Sequence, residues 1–349
     1  MQLTSDPIEK DGKKIGHVLL ISPLTFSYHL KISETLNSLG YDVTWWNQSA
    51  SNSTAYKVFL RLFPALTVKW SEHSFRKKLY KLDSKSITHV LVIKGAGLSR
   101  QIALDIKETL TSASMGLYLW DGAENVKGVW NILTIFDSVA TFDSVDAKRY
   151  NWSYRPLFGN NIFSRKSIEA SLQFDWCFIG TIHSDRHRVI HRLRRRYGQQ
   201  MRSFVFCYFQ SPLILFLRRF LDWTLMLAPK GTLSTKPMAA TKVSKVILSS
   251  RAVLDIEHPL QRGLTMRTIE TLMMGKKLIT TNRNVLASNL YDSSRVFVIT
   301  RDNPEIPLTF LDKPFVAISN TLRDYYSCRG WLLELLELQN NASRVRCHR

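Results

Sequence analysis

Basic residues crowd the start of a predicted helix in the stretch from Val253 to Asn282. A short apolar run leads through a loop into this helix, which is predicted to open at Gly263. His258, Arg262 and Arg267 surround the opening. Exposed cations at the positive end of a helix dipole are unfavourable by about 0.3–1 kcal/mol each. A bound phosphate would make these cations favourable, because free N–H groups and nearby cations both stabilise an anion. The pattern therefore predicts an anion site.

The residues that follow the opening suit the remainder of a sugar nucleotide. The backbone of Gly263, Leu264 and Thr265 would receive a diphosphate, and the Thr265 hydroxyl would be a further donor. Glu270 lies about two turns into the helix, and helical side chains lean toward the N-terminus. Its carboxylate could therefore accept hydrogen bonds from a ribose diol. A solvated Glu270 that pairs with Arg267 on the helix surface is the other interpretation.

Glycine and lysine mark the end of the same helix. Gly275 is predicted to stop it, because glycine adopts the left-handed conformation of a helix end. Lys276 and Lys277 would then lie favourably at the negative end of the helix dipole.

Short apolar strands that alternate with helical patterns predict two α/β domains with parallel sheets. In a first domain, 1–160, strands are predicted over 17–22, 41–46, 89–93, 115–120 and 139–142. In a second domain, 170–325, they are predicted over 176–179, 203–209, 252–254, 278–281 and 295–299. Residues 231–243 are predicted to be a loop, 326–338 a terminal helix that crosses back to the first domain, and 339–349 a frayed polar tail.

The letters GLTMRTIETLMMGKKLITTN at 263–282 resemble the C-terminal signature of bacterial glycosyltransferases with the two-domain GT-B architecture. The closest likeness is to the group from capsule, exopolysaccharide and lipopolysaccharide clusters. FIGTIHSDR at 178–186 and LYLWDG at 117–122 resemble other segments of that group, and the likeness covers most of 16–336. It implies two Rossmann-like domains that face each other across a cleft, the first for the acceptor and the second for the nucleotide sugar.

The resemblance also assigns residues. Gly180 and Thr181 after a strand, with Arg186 opening the next helix, resemble a second diphosphate contact of the family. Retaining members often carry a further glutamate eight residues before the position of Glu270, where this chain has Arg262. Inversion and retention therefore both stay open.

An inverting transfer needs a general base that takes the proton of the acceptor hydroxyl. Ligands of open parallel sheets bind beyond the carboxyl ends of the strands, and in the first domain this rule selects Asp121 and Asp143 among the titratable candidates for the base. Asp121 follows a strand and is the preferred base, while His29 opens the first helix and Asp143 ends a neighbouring strand. A cap or turn carboxylate is the structural alternative for Asp121. No D-x-D motif lies in a suitable loop, so neither a metal nor another cofactor is expected, and the resemblance implies the same.

Bulk properties indicate a folded protein of two ordinary domains, with 349 residues and 45% hydrophobic content. No stretch reaches the ~18 uninterrupted apolar residues of a transmembrane helix, and the first residues lack the apolar core of a signal peptide. A cytoplasmic location is therefore expected. The four cysteines are scattered without a CxxC pair, so neither zinc nor disulfides are expected.

The formal net charge of +20 implies an anionic partner surface. Residues 186–202 predict a helix with a basic face, and 204–230 are rich in Phe, Leu and Trp. A basic face beside an apolar one fits peripheral contact with an anionic membrane, here the inner face of the bacterial inner membrane. The alternatives are a solvated face for the basic part, and a core strand with a packed helix for the apolar part.

The predicted function is a glycosyltransferase that moves a sugar from a nucleotide sugar to a glycan or lipid-linked acceptor of surface polysaccharide or lipopolysaccharide. One alternative is a GT-B-like protein that uses a nucleotide sugar otherwise, as an epimerase or a non-catalytic partner. The other is a nucleic-acid-binding protein, motivated by the charge. No RRM, KH or zinc-finger pattern is visible, so no nucleic-acid partner is expected.

Overall fold

The computed structural model describes residues 14–25, 27–49, 64–126, 128–159, 171–259 and 261–347. The chain divides into two compact units. Unit 1 contains Met1–Phe142, Asp146–Arg155 and Cys328–Arg349, and unit 2 contains Asp143–Val145 and Pro156–Ser327. Each unit is built around its own parallel sheet.

Unit 1 has a six-stranded sheet in the order β2-β1-β3-β4-β5-β6, in which every neighbouring pair is parallel. The strands are β1 (Gly16–Ser22), β2 (Tyr41–Asn47), β3 (His89–Ile93), β4 (Ser114–Leu119), β5 (Ser138–Thr141) and β6 (Ser153–Tyr154). The helices are α1 (Tyr28–Ser38), α2 (Pro64–Tyr80), α3 (Arg100–Thr109) and α4 (Ser144–Tyr150), the last of which begins within unit 2. Strands β3 and β4 are buried throughout, as continuous apolar runs covered on both faces must be. The chain goes from β1 to β2 on one side and then to β3 on the other, so the strand order reverses between β1 and β3.

A terminal helix, α12 (Cys328–Cys347), belongs to unit 1, where it packs against β4, β5 and α1. Trp331, Leu332 and Leu335 are buried along one face of it, and Gln339 one turn further on is also buried. The helical spacing of inward-facing residues thus continues past 338. The predicted frayed tail is wrong for 339–347, which are helical.

Unit 2 has a second six-stranded parallel sheet, in the order β12-β11-β10-β7-β8-β9. The strands are β7 (Phe174–Thr181), β8 (Ser203–Tyr208), β9 (Leu233–Ser234), β10 (Ser250–Asp255), β11 (Lys277–Thr280) and β12 (Val296–Val298). The helices are α5 (Arg186–Tyr197), α6 (Pro212–Leu221), α7 (Trp223–Met226), α8 (Ala240–Leu248), α9 (Met266–Met273), α10 (Leu308–Asp312) and α11 (Asn320–Tyr325). The strand order reverses between β7 and β10, which makes the crevice there the switch point where doubly wound sheets bind ligands.

The apolar segment at 204–230 contains both a core element and an uncovered one. Strand β8 lies inside the sheet, as the core interpretation predicts. Helix α6 contains no fully buried residue and packs against the core through the half-buried Leu215, so the packed-helix interpretation holds for one side of it only. The predicted loop at 231–243 is wrong in part, because it includes β9 and the start of α8. None of the described helices is both long and apolar enough to cross a membrane.

Candidate functional site

Helix α9 begins later than the sequence predicts. Its first helical residue is Met266, and Thr265 is the N-cap, whose side-chain oxygen accepts from the Thr268 N–H at 3.1 Å. Threonine is among the residues preferred at this position. Gly263 and Leu264 therefore belong to the loop before the helix, and both are buried. Gly275 ends the helix region in the left-handed conformation that its type predicts.

A buried carboxylate already engages the hydroxyl groups at this helix start. Asp255, at the end of β10, accepts from the Thr265 hydroxyl at 2.5 Å and from the Thr268 hydroxyl at 2.8 Å. A threonine hydroxyl has one proton to donate, so the Thr265 hydroxyl is not available to a phosphate in this conformation. The backbone N–H of Thr265 is the group that it can offer to a ligand.

Two asparagine side chains orient the loop peptides. The Asn284 amide donates to the Arg262 carbonyl at 2.8 Å, and the Asn282 amide donates to the Gly263 carbonyl at 3.1 Å. The described chain has no cis peptide bond, and in a trans peptide the C=O and the following N–H point in opposite directions. The N–H groups of Gly263 and Leu264 are therefore aimed away from the asparagines.

The first N–H groups of the helix add to these donors. The first intrahelical backbone bond runs from the Ile269 N–H to the Thr265 carbonyl, and the Thr268 N–H is capped by the Thr265 side chain. The N–H groups of Met266 and Arg267 have no intrahelical acceptor. Backbone donors and a dipole end thus converge here, which is the general chemistry of anion binding.

Arg186 spans the switch point of unit 2. Its Nε donates to the Ile256 carbonyl beyond β10 at 2.5 Å, and its Nη1 donates to the Thr181 carbonyl at the end of β7 at 2.9 Å. Among the described residues, Nη2 has no protein acceptor. A side-chain Cβ at Gly180 would lie 3.1 Å from the Phe178 ring, so glycine leaves room at this strand end. Burial lowers the pKa of Arg186, while Asp255 and Glu257 oppose that shift.

Glu270 is buried rather than solvated, with 7% of its surface exposed. Its Oε2 lies 3.7 Å from Nη1 of Arg267, whose side chain is 27% exposed. The interpretation of a solvated surface pair is therefore wrong, although the pairing itself is present. A buried carboxylate requires such a partner, because its desolvation is costly. The Arg267 guanidinium therefore pairs with Glu270, which leaves less of its charge to stabilise an anion at the helix start.

Two histidines border the same region. The rings of His183 and His258 lie 5.3 Å apart between centroids. Burial, followed by the charges of Arg186, His258 and Arg218, lowers the pKa of His183 to about 4. Of the charged groups that act on this pKa, three are cationic and one, Asp185, is anionic. Arg262 lies at the edge, with an exposed side chain.

A charged network that the sequence interpretation missed lies at the same strand ends. Arg301 donates to Asp185 and to Glu257, each at 2.6 Å, and Glu257 also accepts from the Thr281 hydroxyl. Asp185 is the residue before α5, so the network ties the start of that helix to the end of β10. Asp185 and Glu257 could have been found as polar residues that follow predicted strands. Their partner Arg301 could not, because it comes from a loop that is distant in the chain.

Two of the predicted base residues, Asp121 and His29, lie at the carboxyl edge of unit 1. Oδ2 of Asp121 is 2.7 Å from Nζ of Lys94, and both side chains are 31% exposed. His29 is buried and stacks on Trp45 with centroids 4.2 Å apart. Burial lowers the pKa of His29, and its Nδ1 has no hydrogen-bond partner in the part of the chain that the structure describes.

Asp143 caps the backbone at the start of α4. Its carboxylate accepts from the Val145 N–H at 2.9 Å, at the start of α4, and it is buried. This geometry is that of a turn or cap. Among the residues that the structure describes, no group of three His, Cys, Asp or Glu side chains could hold a metal ion.

Comparison with known proteins gives structural matches only. Neither a protein-family model nor a curated protein sequence matches significantly. A glycosyltransferase from Rickettsia africae is 11% identical over 94% of this chain and 98% of its own, with a TM-score of 0.58. HepE from Anabaena, solved with UDP and glucose, is 8% identical over 96% of this chain and 100% of its own, with a TM-score of 0.56.

A UDP-GlcNAc 2-epimerase from Methanocaldococcus jannaschii is also similar, at 11% identity over 92% of this chain and 99% of its own, with a TM-score of 0.53. At such identities the likeness concerns the fold alone. The α/β architecture of two parallel-sheet units, shared with GT-B glycosyltransferases, is thereby confirmed.

Proposed function

We propose that this protein is a glycosyltransferase that takes a sugar from a nucleotide-sugar donor bound at the carboxyl edge of unit 2. The carrying observation is that Arg186 is fixed across the β7–β10 crevice by the Thr181 and Ile256 carbonyls. The loop that holds the oriented amides of Gly263 and Leu264 leaves the end of β10 at the same crevice. The fold shared with glycosyltransferases supports the same function. The acceptor in this proposal is a glycan or lipid-linked glycan of bacterial surface polysaccharide or lipopolysaccharide, made on the cytoplasmic side.

The proposed donor site uses fixed donors for the diphosphate. Backbone N–H groups from Gly263 to Arg267 and the guanidinium of Arg186 would contact it, with His258 and Arg262 at the edge. Because the loop carbonyls are already held by side chains, these donors need not reorganise as charge develops on the leaving diphosphate. The cations of the protein would neutralise that charge, so the proposal requires no metal.

The proposed ribose contact is the carboxylate of Glu270. It lies on α9 beyond the helix start, and Arg267 keeps a counter-charge beside it. In unit 1, Asp121 is the proposed base for the acceptor hydroxyl, and Nζ of Lys94 lies 2.7 Å from its carboxylate. His29 is the alternative base, because its Nδ1 is without a hydrogen-bond partner among the described residues and could accept the proton.

A sugar-nucleotide epimerase is the second candidate. The likeness to the UDP-GlcNAc 2-epimerase fold favours it specifically. Such an enzyme would need the donor site but no acceptor, so the two candidates differ in what happens to the sugar.

The test begins with thermal unfolding in the presence of UDP, GDP, CMP and dTDP. A nucleotide at a hundred times its Kd should add about 2.7 kcal/mol to the stability of the native state. Arg186→Lys should reduce this stabilisation, whereas Arg196→Lys, on a surface ion pair with Glu305, should not. No response to any nucleotide would contradict the donor site.

The reaction is then assigned by following a labelled sugar from its nucleotide. Label that appears in a glycan or glycolipid, with free nucleotide released, identifies a transferase. Label that remains on the nucleotide as a new sugar identifies an epimerase.

A further inference from the structure

Helix α6 presents an apolar face to solvent. Leu213, Phe216, Leu217 and Phe220 have the spacing of one helical face, and they are 66%, 58%, 52% and 78% exposed. The opposite face holds the helix on unit 2, where Leu215 packs against the core. The apolar face is therefore fixed outward by packing on the other side.

The apolar surface continues past α6 into α7. Four more large apolar residues, each 60–80% exposed, extend it: Leu221, Trp223, Met226 and Leu227. We call the eight exposed side chains on these two helices the α6–α7 patch. Contiguous apolar surface of this extent marks an interaction site in soluble proteins. The buried residues Thr224 and Leu225 fix α7 to unit 2.

The charge around the patch has a single sign. Residues 186–249 contain thirteen Lys and Arg residues and one acidic residue, Asp222. The Asp222 carboxylate is engaged by the N–H and hydroxyl of Thr224 and by Arg188. Arg219 and Lys230 are exposed on and just after the patch helices. An apolar face within a basic segment is the pattern of a helix that lies in the interface of an anionic membrane.

We propose that the α6–α7 patch docks into the headgroup–acyl boundary of an anionic lipid bilayer. Charge complementarity selects this occupant. A second copy of the chain would meet the patch through the same patch, because two-fold contacts are self-complementary, and would bring like charges together. Nucleic acid would satisfy the cations but would leave the apolar side chains in water.

The position of the patch has a consequence for the substrate. Arg218 of α6 lies 3.5 Å from the Ser184 carbonyl oxygen, and Ser184 stands between the end of β7 and the start of α5, next to Arg186. The docked helix would therefore hold the donor site close to the membrane surface. If the proposed function holds, the acceptor class is lipid-linked; the docking itself does not depend on that function.

The test is co-sedimentation of the full chain with vesicles of phosphatidylcholine, alone or mixed with phosphatidylglycerol. The wild type should bind the anionic vesicles and bind them less in high salt. The triple variant Leu217→Gln/Phe220→Gln/Leu221→Gln should partition at least about tenfold more weakly, since membrane binding scales with buried apolar area. A control variant, Leu286→Gln/Leu308→Gln/Val316→Gln, changes three apolar residues elsewhere in unit 2 that are about half exposed, and it should bind like the wild type.

A second measurement reports insertion directly. Brominated lipids should quench part of the tryptophan fluorescence, and Trp223→Phe should remove that part without abolishing binding. Failure of the wild type to bind anionic vesicles, or equal binding by the patch variant, would overturn the proposal. A patch variant that changes the oligomeric state but not vesicle binding would assign the patch to a second copy instead. Nucleotide-dependent stabilisation, measured on the same proteins, tests the donor site separately.

Discussion

Charged side chains at the carboxyl edge of unit 2 are held by backbone carbonyls or by opposite charges. Arg186 donates to two carbonyls, Arg301 joins two carboxylates, and Glu270 lies beside Arg267. Held in this way, these groups lose little conformational freedom when a ligand arrives. The Thr265 hydroxyl, in contrast, is already committed to Asp255. At this scale the backbone amides, more than the hydroxyl groups, are the available ligand donors.

Substitution of Glu270 by glutamine tests the ribose contact. Glutamine keeps the shape of the side chain but removes the charged acceptor, whose hydrogen bonds are worth roughly 1.5–3 kcal/mol. We expect nucleotide binding, measured by calorimetry, to weaken about tenfold or more, with a smaller loss of thermal stability. Glu305→Gln, on a surface ion pair with Arg196, is the control and should bind normally. Wild-type affinity in Glu270→Gln would remove the ribose assignment.

His187 gives unit 2 a pH-dependent stability. Burial lowers its pKa to about 4, and its Nδ1 lies 2.8 Å from the Thr224 hydroxyl. The unfolded chain protonates this histidine near pH 6.5, so it binds more protons than the native state between about pH 4 and 6.5. Stability should therefore fall as pH is lowered through that window.

His187→Asn retains a polar group near Thr224 but does not titrate. Its unfolding free energy should change less with pH, by up to about 1.4 kcal/mol per pH unit for one proton. Urea unfolding at several pH values between 7 and 4.5 measures the difference. An unchanged slope would mean that the native state does not exclude this proton.

Elements with an unambiguous residue pattern could be predicted from the sequence. Strand β3 was predicted with its observed bounds because it is a continuous apolar run between polar residues. Helix α9 was predicted three residues early, because the prediction began it at Gly263, whereas the N-cap is the local bond from the Thr268 N–H to the Thr265 side chain. For α6 the sequence left an exposed and a packed helix both open, since an apolar helix has the same residue pattern in either case.

The two lysines after α9 show a similar limit. Their type predicts contact with the negative end of a helix, and the sequence assigned them to α9 itself. Instead, Nζ of Lys276 donates to the Leu248 carbonyl at the end of α8. Nζ of Lys277 donates to carbonyls at the end of α10, those of Phe310, Leu311 and Lys313. The chemistry was predictable, but which helix end supplies it depends on the tertiary fold.

Lys277→Met should therefore destabilise unit 2 more than Lys276→Met. Loss of the buried Lys277 ammonium leaves the Phe310 and Lys313 carbonyl oxygens without this donor, at a cost of about 2 kcal/mol. The Leu311 carbonyl still accepts from Arg251. Loss of the Lys276 ammonium leaves one carbonyl oxygen, that of Leu248, without this donor, at a cost of about 1 kcal/mol in stability. Urea unfolding of the two variants measures the difference, and equal destabilisation would show that the contacts at α10 contribute little.

At the scale of the whole molecule, each unit has its own hydrophobic core. Trp331 of α12 is fully buried in unit 1, where its ring meets the ring of Tyr118 edge-on at 4.9 Å. Trp176 of β7 belongs to a core cluster confined to unit 2. Along the chain, α12 follows the whole of unit 2 and returns to unit 1, where it packs against the first sheet.

Two tryptophan substitutions test whether these cores are energetically separate. Trp331→Ala should cost about 3–5 kcal/mol, because it removes a large buried ring. Since α12 packs against β4, β5 and α1, hydrogen exchange should speed up in those elements while β7 and β10 keep their protection. Trp176→Ala is the matched control and should give the reverse pattern. Loss of protection in both sheets from either substitution would mean that the two units unfold as one cooperative body, in which case stability could not be apportioned between them.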